Sequence, residues 1–509
     1  MQHNRRVLKT LMIMISLFVT SVASGVDLES PLRHLIQSSN LGKTTYSITV
    51  KDLDYDVYLA EINADTPMIP ASNMKILTTA MALDILGADY IFETRLSLLD
   101  SKYTDGLPAL LIRGDGDPAF CDPALLRDHD LTVENVLDQW LKAIEATNVK
   151  HFSKIILDDR IFDYQFVHPS WEQNDLMKHY GAQISGLNFY LNCIDFTFVP
   201  SNYIGQSPRI MMFPDVPYLQ TINRAKTGKT DNYWVNRRLD TNDFSFHGTI
   251  KNHPFQPKRM TVHDPAVFFT QYLIYELEKR GIKVDYIARP DEDQTLPPGE
   301  ELHVVRTTLP LVISRTNQDS VNLFAESLFK RSGHQITGEP GGWNNGAAAM
   351  RNVMHSRVGP SASAINISDG SGLSRENKVS SRMFINLLEN VYEDPEKSQV
   401  FRESLSYAGR TPENERIAVG SLKRAKRMKN LKPGHWVFAK TGHLTGVTAL
   451  SGYYMFPSST EPDAIRTIAF SFLFNNIKAP VLQANVRKLQ DNMIDHIQNA
   501  VMMSESVGR

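Results

Sequence analysis

At residues 70–87 the chain reads PASNMKILTTAMALDILG, and we expect the rest of the fold to be arranged around this segment. Pro70 interrupts whatever precedes it, Ser72 is a residue type that opens helices, and Gly87 is one that closes them. Apolar side chains occupy nearly every turn and leave hardly any polar face, which is typical of a buried helix. The segment therefore predicts a helix at the centre of its domain.

Ser72 and Lys75 lie three residues apart, so one helical turn brings their side chains together. A serine hydroxyl becomes a strong nucleophile when a base removes its proton, and a lysine can be that base once burial lowers its pKa. The start of a helix also offers backbone N–H groups to a developing negative charge. Because Ser-x-x-Lys also occurs by chance, as at Ser327 and Lys330, a catalytic role requires partners.

Two later triplets supply such partners. Ser320 and Asn322 lie in a predicted loop between two helices, and Lys440, Thr441 and Gly442 end a predicted strand. A second hydroxyl can relay protons, an amide can hold a substrate carbonyl, and a cation beside a hydroxyl can bind a carboxylate. The glycine would let an extended peptide approach the strand closely. Chance copies of both triplets elsewhere in the chain lack these contexts, so the three motifs predict one active site.

The N-terminus has the three-part pattern of a secretory signal. Arg5, Arg6 and Lys9 precede an apolar run at residues 11–19, and small residues follow it. The run is too short to span a membrane comfortably. We therefore predict a signal peptide at residues 1–24 and a periplasmic mature protein, with an uncleaved membrane anchor as the alternative.

The composition is that of an ordinary globular protein, since 42% of the 509 residues are hydrophobic and 22% are charged. Removing residues 1–24 takes away three cations and no acid, so the formal charge moves from −2 to −5 and argues against nucleic acid as a partner. No second apolar run could cross a membrane, which leaves only peripheral membrane association open. Cys121 and Cys193 could form one disulfide or remain two core thiols. No metal-ligand spacing is present, so we predict no metal and no cofactor.

Periodicity divides the chain into a split catalytic part and an insert. Alternating residues at 44–50 and 56–62 predict a β-hairpin that leads into the Ser72 helix. Short β-like runs and turns fill residues 90–261, which we expect to be one or two inserted β-rich domains. The catalytic part then comprises residues 25–89 and 262–509. Helices or strands are predicted there at 309–314, 322–331, 381–392, 436–440, 447–455, 467–474 and 482–501.

Together the motifs resemble those of the serine penicillin-recognising enzymes, namely Ser-x-x-Lys, Ser-x-Asn and Lys-Thr-Gly. The 248 residues from Ser72 to Ser320 are unlike a β-lactamase. A spacing of this length is similar to that of the class C low-molecular-mass penicillin-binding proteins, the D-alanyl-D-alanine carboxypeptidase/endopeptidase family. Residues 369–375 and 439–447 also resemble signatures of that family. This resemblance implies an α/β (α+β) fold with an antiparallel sheet of about five strands, helices on both faces, and inserted domains between the first two motifs.

The resemblance also implies roles for the motif residues. Ser72 would be the acylated nucleophile and Lys75 its base. Ser320 would relay a proton to the leaving D-alanine, and Asn322 would orient the acyl side of the substrate.

The third motif would bind the other end of the substrate. Lys440 and Thr441 would hold its terminal carboxylate, with Gly442 beside them. The oxyanion hole would consist of the backbone N–H groups of Ser72 and His443. The family usually has Ser or Thr at the position of His443, but the histidine backbone can still donate.

The function that the resemblance implies is a serine-type D-Ala-D-Ala carboxypeptidase or endopeptidase. Its substrates would be peptidoglycan stem peptides, and β-lactam antibiotics would be covalent inhibitors. A β-lactamase on the same scaffold is one alternative, although no Glu-x-x-Leu-Asn string follows the second motif. A non-catalytic wall-binding protein, with the insert as its working surface, is the other.

Overall fold

A computed structural model describes residues 27–507 of the protein except 105, 255, 459–460 and 462–463. The predicted signal peptide at residues 1–24 lies outside this range. None of the described helices combines the length and apolar composition needed to cross a bilayer. The described α-helices are α1 (Glu29–Ser38), α2 (Met74–Leu86), α3 (Pro123–Asp128), α4 (Val133–Ala146), α5 (Pro265–Glu278), α6 (Leu309–Gln318), α7 (Asn322–Thr337), α8 (Trp343–Val358), α9 (Ser381–Tyr392), α10 (Ser398–Ser404), α11 (Gly420–Arg424) and α12 (Gln483–Val507).

A seven-stranded antiparallel sheet forms the centre of the catalytic part, in the order β16-β15-β17-β18-β19-β1-β2. The predicted hairpin is confirmed, since β1 pairs antiparallel with β2. The three strand-like runs near the C-terminus are also confirmed. The sheet has more strands than the resemblance implied because β15 and β16 extend one edge. The strands are β1 (Thr45–Asp52), β2 (Val57–Ile62), β15 (Ser406–Arg410), β16 (Arg416–Ala418), β17 (Trp436–Leu444), β18 (Val447–Pro457) and β19 (Ile465–Asn475).

Helices cover both faces of this sheet. Successive side chains along a strand point to opposite faces, and here apolar side chains on both faces need a covering layer. On β18, Ala449 and Tyr453 join the core formed with α2, α7, α8 and α9. The intervening Leu450 and Tyr454 join the opposite core, formed with α1 and α12. The α/β (α+β) architecture with an antiparallel sheet between helical layers is therefore confirmed.

Helix α2 is buried as predicted, with every residue from Met74 to Leu83 inaccessible to solvent. A 3-10 turn at Ala71–Asn73 precedes it and carries the predicted nucleophile. At its end Gly87 has φ of 85°, a conformation in which a side chain would be strained. The helix lies between the sheet and α7 and α8, so its first turn is held from several sides.

The insert contains three further sheets, and its extent differs from the prediction. Strands β13 and β14 pair with β5 and β3, and α5 packs into the core of the insert. We therefore place the end of the insert near residue 308 rather than at 261. The insert strands are β3 (Ile91–Leu99), β4 (Ala109–Gly114), β5 (His151–Asp158), β6 (Cys193–Val199), β7 (Arg209–Phe213), β8 (Thr221–Asn223), β9 (Lys226–Thr227), β10 (Asn232–Arg237), β11 (Phe244–Ile250), β12 (Lys258–Thr261), β13 (Lys283–Ala288) and β14 (Glu300–Thr308).

The two cysteines are separate buried thiols, which selects the second of the two alternatives. Burial raises the pKa of Cys193 to about 12 and that of Cys121 well above its ordinary value. Both groups therefore behave as core side chains rather than as reactive thiols.

The chance motif at Ser327 and Lys330 joins the insert to the catalytic part. The buried Lys330 ammonium donates to Asp163 Oδ1 (2.6 Å) and to the Gln165 carbonyl (2.8 Å), both in the insert. It also lies 4.0 Å from the centre of the Trp343 ring. These contacts commit the lysine to a structural role, and Ser327 takes no part in them.

Candidate active site

Ser72 lies at a point where the backbone is tightly constrained. Ala71, directly before it, has φ of 47°, a conformation that costs a non-glycine residue of order 1–3 kcal/mol. Asn73, directly after it, donates its side-chain amide to Ser451 Oγ of β18 at 2.7 Å. The turn that carries the hydroxyl is thus fixed against the central sheet, which is typical of a preorganised nucleophile.

The Lys75 amine makes three close contacts at the floor of the cleft. Its Nζ lies 2.7 Å from Asn322 Oδ1, 2.8 Å from the Ser371 carbonyl and 3.2 Å from Ser72 Oγ. A neutral amine has two N–H donors and one lone pair. Because Asn322 and Ser371 present only acceptors, they take the two donors, and the lone pair is left for the Ser72 hydroxyl proton. This arrangement suits a base that removes the proton of Ser72.

Burial lowers the pKa of Lys75 to about 7. The main cause is loss of hydration around the ammonium, and the buried carboxylates of Glu326 and Asp369 oppose it. A large fraction of the amine is therefore neutral near neutral pH. A catalytic base needs a pKa close to the operating pH, and Lys75 meets this requirement.

Ser320 and Lys440 form a second pair in the cleft. The Lys440 ammonium donates to Ser320 Oγ at 2.9 Å and to the Thr441 carbonyl at 3.0 Å. Burial, and next the charge of Lys75, lower the pKa of Lys440 well below its ordinary value. Ser320 itself has φ of 62°, so its backbone is also held in a left-handed conformation. The short loop between α6 and α7 thus presents a hydroxyl that is already oriented by a lysine.

The insert reaches the active site through Asn322. The side-chain amide of Asn322 donates to the Tyr180 carbonyl of the insert at 2.8 Å, while its Oδ1 accepts from Lys75. The two contacts fix which way the amide points. The insert therefore helps to set the geometry around the Lys75 amine.

One edge of β17 is open where the third motif lies. Strand β15 pairs with β17 only at Trp436–Ala439. Beyond that point, residues 440–444 pair with β18 alone among the described residues. Thr441 Oγ1 donates to Ser421 Oγ of α11 at 2.9 Å, which positions that hydroxyl beside the open edge. An extended peptide could lie along this edge as an additional strand.

The absence of a side chain at Gly442 has a packing reason that the sequence did not reveal. A Cβ atom at this position would lie 2.8 Å from the Pro70 carbonyl oxygen and 3.1 Å from Asn73 Oδ1. The glycine therefore lets β17 approach the turn that carries Ser72. We predicted that it makes room for substrate, and this part stays a prediction.

The side chain of His443 faces helix α12. Its Nδ1 lies 3.4 Å from Gln483 Nε2 and 3.5 Å from Arg487 Nη1, both of which can donate to it. Burial, together with the charge of Arg487, lowers the pKa of the imidazole. His443 is thus neutral near pH 7, and its role as a backbone donor stays a prediction.

Glu326 is a site residue that the sequence analysis missed. Its buried carboxylate accepts from the backbone N–H groups of Gly370 (3.0 Å) and Ser371 (2.7 Å) and from Trp343 Nε1 (2.9 Å). Burial, with the charge of Asp369, raises the pKa of Glu326 to about 7. These bonds hold the turn whose Ser371 carbonyl contacts Lys75. The sequence did contain a signal for this residue, because Glu326 follows Asn322 by one helical turn and so lies on the same face of α7.

The turn at residues 369–374 is a second part of this support. Asp369 accepts from the backbone N–H groups of Gly372 (2.8 Å) and Ser374 (2.6 Å) and from Trp171 Nε1 (2.8 Å). Thr78 of α2 donates to the Gly370 carbonyl at 2.6 Å. The turn therefore holds its Ser371 carbonyl in a fixed position against α2.

A cavity of about 320 Å³ adjoins Ser320 and Asn322 and extends between the catalytic part and the insert. Tyr180 and Arg259 line it from the insert, and Arg424 lines it from α11. No group of three or more potential metal-binding side chains occurs in the described part of the chain.

Comparisons with known proteins assign the chain to a family. The D-Ala-D-Ala carboxypeptidase 3 (S13) family model matches residues 28–499. A D-alanyl-D-alanine carboxypeptidase from Actinomadura sp. (strain R39) is 27% identical over 481 residues, which cover 90% of this chain and 83% of that protein. The carboxypeptidase DacB of Haemophilus influenzae is 24% identical over 446 residues, covering 84% and 85% of the two chains.

Among solved structures, penicillin binding protein 4 (DacB) from Haemophilus influenzae has the same fold. The TM-score is 0.72 at 20% identity, and the match covers 92% of this chain and 99% of that one. A structure of the same protein with a bound β-lactam matches with a TM-score of 0.68. Because the family model spans nearly the whole chain, including all three motifs, this chain belongs to the D-Ala-D-Ala carboxypeptidase 3 (S13) family of serine peptidases.

Proposed function

We propose that the protein is an exported serine-type D-Ala-D-Ala peptidase that acts on peptidoglycan peptides through an acyl-enzyme on Ser72. The observation that carries this proposal is the set of contacts around Lys75, which directs an amine lone pair at the Ser72 hydroxyl. Family membership supports the same reaction. The predicted signal peptide supports a periplasmic location.

In the first step, Lys75 removes the proton of Ser72 as Oγ attacks the carbonyl carbon of the penultimate D-alanine. The carbonyl oxygen becomes negatively charged, and the backbone N–H groups of Ser72 and His443 stabilise it. The C–N bond then breaks. The leaving amine takes up a proton through Ser320, whose hydroxyl is held by Lys440.

Substrate binding and the second step use the remaining motif residues. Thr441, with the cation of Lys440, binds the terminal carboxylate, and Gly442 is part of the strand edge along which the peptide lies. Asn322 orients the acyl side. Water then attacks the ester at Ser72, releasing the shortened peptide and regenerating the hydroxyl. A β-lactam would acylate the same hydroxyl, and slow hydrolysis of that ester would make it a covalent inhibitor.

The protein should remove the terminal residue from a peptide ending in D-Ala-D-Ala and should leave its twin ending in D-Ala-L-Ala uncut. The shortened peptide is measured by mass spectrometry for both substrates, and penicillin turnover is measured on the same preparation. Peptide turnover with a persistent penicilloyl-enzyme supports the proposal. Rapid penicillin hydrolysis without peptide turnover would favour a β-lactamase, and binding to peptidoglycan with neither activity would favour a scaffold protein.

Replacing Glu326 by Gln should move the acid limb of the pH profile to lower pH. In the native protein, D-alanine release should rise with pH as Lys75 loses its proton, around pH 7. The Glu326 carboxylate raises the pKa of Lys75, so removing its charge lowers that pKa and preserves the neutral amine in more acidic solution. We also expect kcat to fall about tenfold, because an amide accepts less well from the N–H groups of Gly370 and Ser371.

This prediction is checked by measuring kcat/KM against pH for both proteins. A lower kcat with an unshifted acid limb would show that Glu326 only stabilises the turn.

A further inference from the structure

A second cavity, of about 470 Å³, lies between the insert and the C-terminal end of α7. Gly114, Asp158 and Pro290 line it from the insert, and His334 and Gly338 line it from the end of α7. Its lining contains no residue of the three motifs. A cavity of this volume can hold a small organic ligand, and we call it the insert cavity.

The wall of the insert cavity includes the carboxyl ends of three parallel strands. Strand β5 pairs parallel with β4 on one side and with β13 on the other. Gly114 is the last residue of β4, Asp158 is the last of β5, and Pro290 follows the end of β13 by two residues. Open sheets of parallel strands bind their ligands outside the carboxyl ends of the strands. The insert cavity therefore lies where the fold of the insert favours a binding site.

Two arginines at these strand ends share one carboxylate. Arg113 donates through Nε to Asp158 Oδ2 at 3.0 Å, and Arg160 donates through Nε to Asp158 Oδ1 at 2.9 Å. Arg160 Nη1 also donates to three backbone carbonyls of the loop after β13, at distances of 2.7 to 3.0 Å. The Nη groups of Arg113 have no hydrogen-bond partner among the described residues, so they can donate to a ligand.

The charges that line the insert cavity balance one another. The carboxylates of Asp158 and Glu292 offset the two guanidinium groups, and the third lining carboxylate, Asp163, pairs with the buried Lys330 at 2.6 Å. An ion of either sign would meet like charge as well as opposite charge, which gives it little electrostatic advantage. The lining thus favours an uncharged ligand whose hydroxyl or amide groups can both donate and accept hydrogen bonds.

The ring of Tyr164 adds an apolar surface to this polar lining. The side chain lines the cavity and is 48% exposed. Its hydroxyl donates to Asp159 Oδ1 at 3.2 Å, and the Arg289 guanidinium lies 5.1 Å from the ring centre, so the ring is held in place. The C–H groups of a sugar pack against the electron-rich face of an aromatic ring, while the hydroxyls of the sugar bind the polar groups around it.

We propose that the insert cavity binds a sugar unit of the glycan strand to which the stem peptide is attached. This inference rests on the proposed function, which places the D-alanyl end of that peptide at Ser72. Helix α7 rises about 18 Å from Asn322 in the active site to His334 at the cavity. Five residues of extended peptide span about 17 Å, so a stem peptide is long enough to join the two sites.

Binding of the sugar is tested by isothermal titration calorimetry with chitotriose, a neutral trisaccharide of N-acetylglucosamine. We expect the native protein to bind it with a Kd of about 1 mM or lower. Tyr164→Ala should raise the Kd at least about tenfold, because the stacking surface is lost. Tyr164→Phe keeps the ring and should retain binding. Tyr286→Ala is the matched control, since Tyr286 is a tyrosine of the insert that is 49% exposed but does not line the cavity.

The link to the reaction is tested with two substrates that share one pentapeptide ending in D-Ala-D-Ala. One carries the peptide on a disaccharide and the other is the free peptide. We expect the KM of the native protein to be about fivefold lower for the disaccharide substrate, because occupation of one site raises the effective concentration at the other. Tyr164→Ala should abolish this difference, and Tyr286→Ala should retain it. Thermal unfolding curves show whether each variant is folded.

The contrary results separate the claims. Chitotriose that fails to bind the native protein, or that binds a folded Tyr164→Ala variant equally well, would overturn the sugar site. Equal loss of binding in Tyr286→Ala would overturn its location. Sugar binding with the same KM for both substrates would show that the cavity does not act on the substrate of the active site. Failure to cleave any D-alanyl peptide would instead overturn the proposed function, and the titration would still test the cavity.

Discussion

Replacing Ser72 by Ala should reduce D-alanine release by at least about 10⁴-fold. The acyl-enzyme requires an oxygen nucleophile at this position, and no other described hydroxyl contacts the Lys75 amine. The expected loss lies in kcat, since the residues assigned to carboxylate binding are untouched. Release from a D-Ala-D-Ala peptide, measured with native and variant protein at equal concentration, checks the prediction.

Ser327→Ala is the matched control for this variant. Ser327 begins the second Ser-x-x-Lys motif, and its buried hydroxyl has no hydrogen-bond partner. Its removal should leave activity near the native level. Substantial turnover by the Ser72 variant, with a thermal unfolding curve like that of the native protein, would contradict a covalent role for Ser72.

Replacing Lys75 by Met should lower kcat by about 10²–10⁴-fold, the range expected when a general base is lost. Methionine is similar in length and suits the buried position, but it has no lone pair that can take the Ser72 proton. The rate of acylation by benzylpenicillin should fall with kcat, because both reactions begin with the same proton transfer. Stopped or quenched time courses of acylation measure it directly.

Lys75→Arg distinguishes a base from a fixed positive charge. Arginine keeps the charge but does not lose its proton in proteins. If Lys75 acts as the base, the arginine variant should be as inactive as the methionine variant. Activity close to native in the arginine variant would show that Lys75 contributes only its charge.

The residues that meet in the cleft could be predicted from sequence because their types are restrictive, while their chemical roles stay predictions. Few kinds of active site combine a nucleophile, a base three residues later and two polar triplets. The structure brings all three motifs into one cleft. Their supporting residues could not be predicted in the same way. Glu326 acts through N–H groups of a turn more than 40 residues away in sequence, at Gly370 and Ser371.

The contribution of the insert was hidden for a similar reason. The Tyr180 backbone carbonyl contacts Asn322, and any residue type could supply a carbonyl. The boundary near residue 308 was missed because α5 has an apolar periodicity that fits either domain. Only strand pairing assigns the segment that ends near residue 308 to the insert, because β13 pairs with β5 and β14 pairs with β3. These contacts and strand pairings join segments that are distant in sequence, and local sequence patterns carry little information about them.

The most direct test of the central claim is the intact mass of the native protein after reaction with benzylpenicillin, followed by peptide mapping. A covalent centre formed by Ser72 and Lys75 predicts a single adduct of one penicilloyl group, on the peptide that contains Ser72. No adduct, or an adduct on a peptide that contains Ser320 instead, would contradict it.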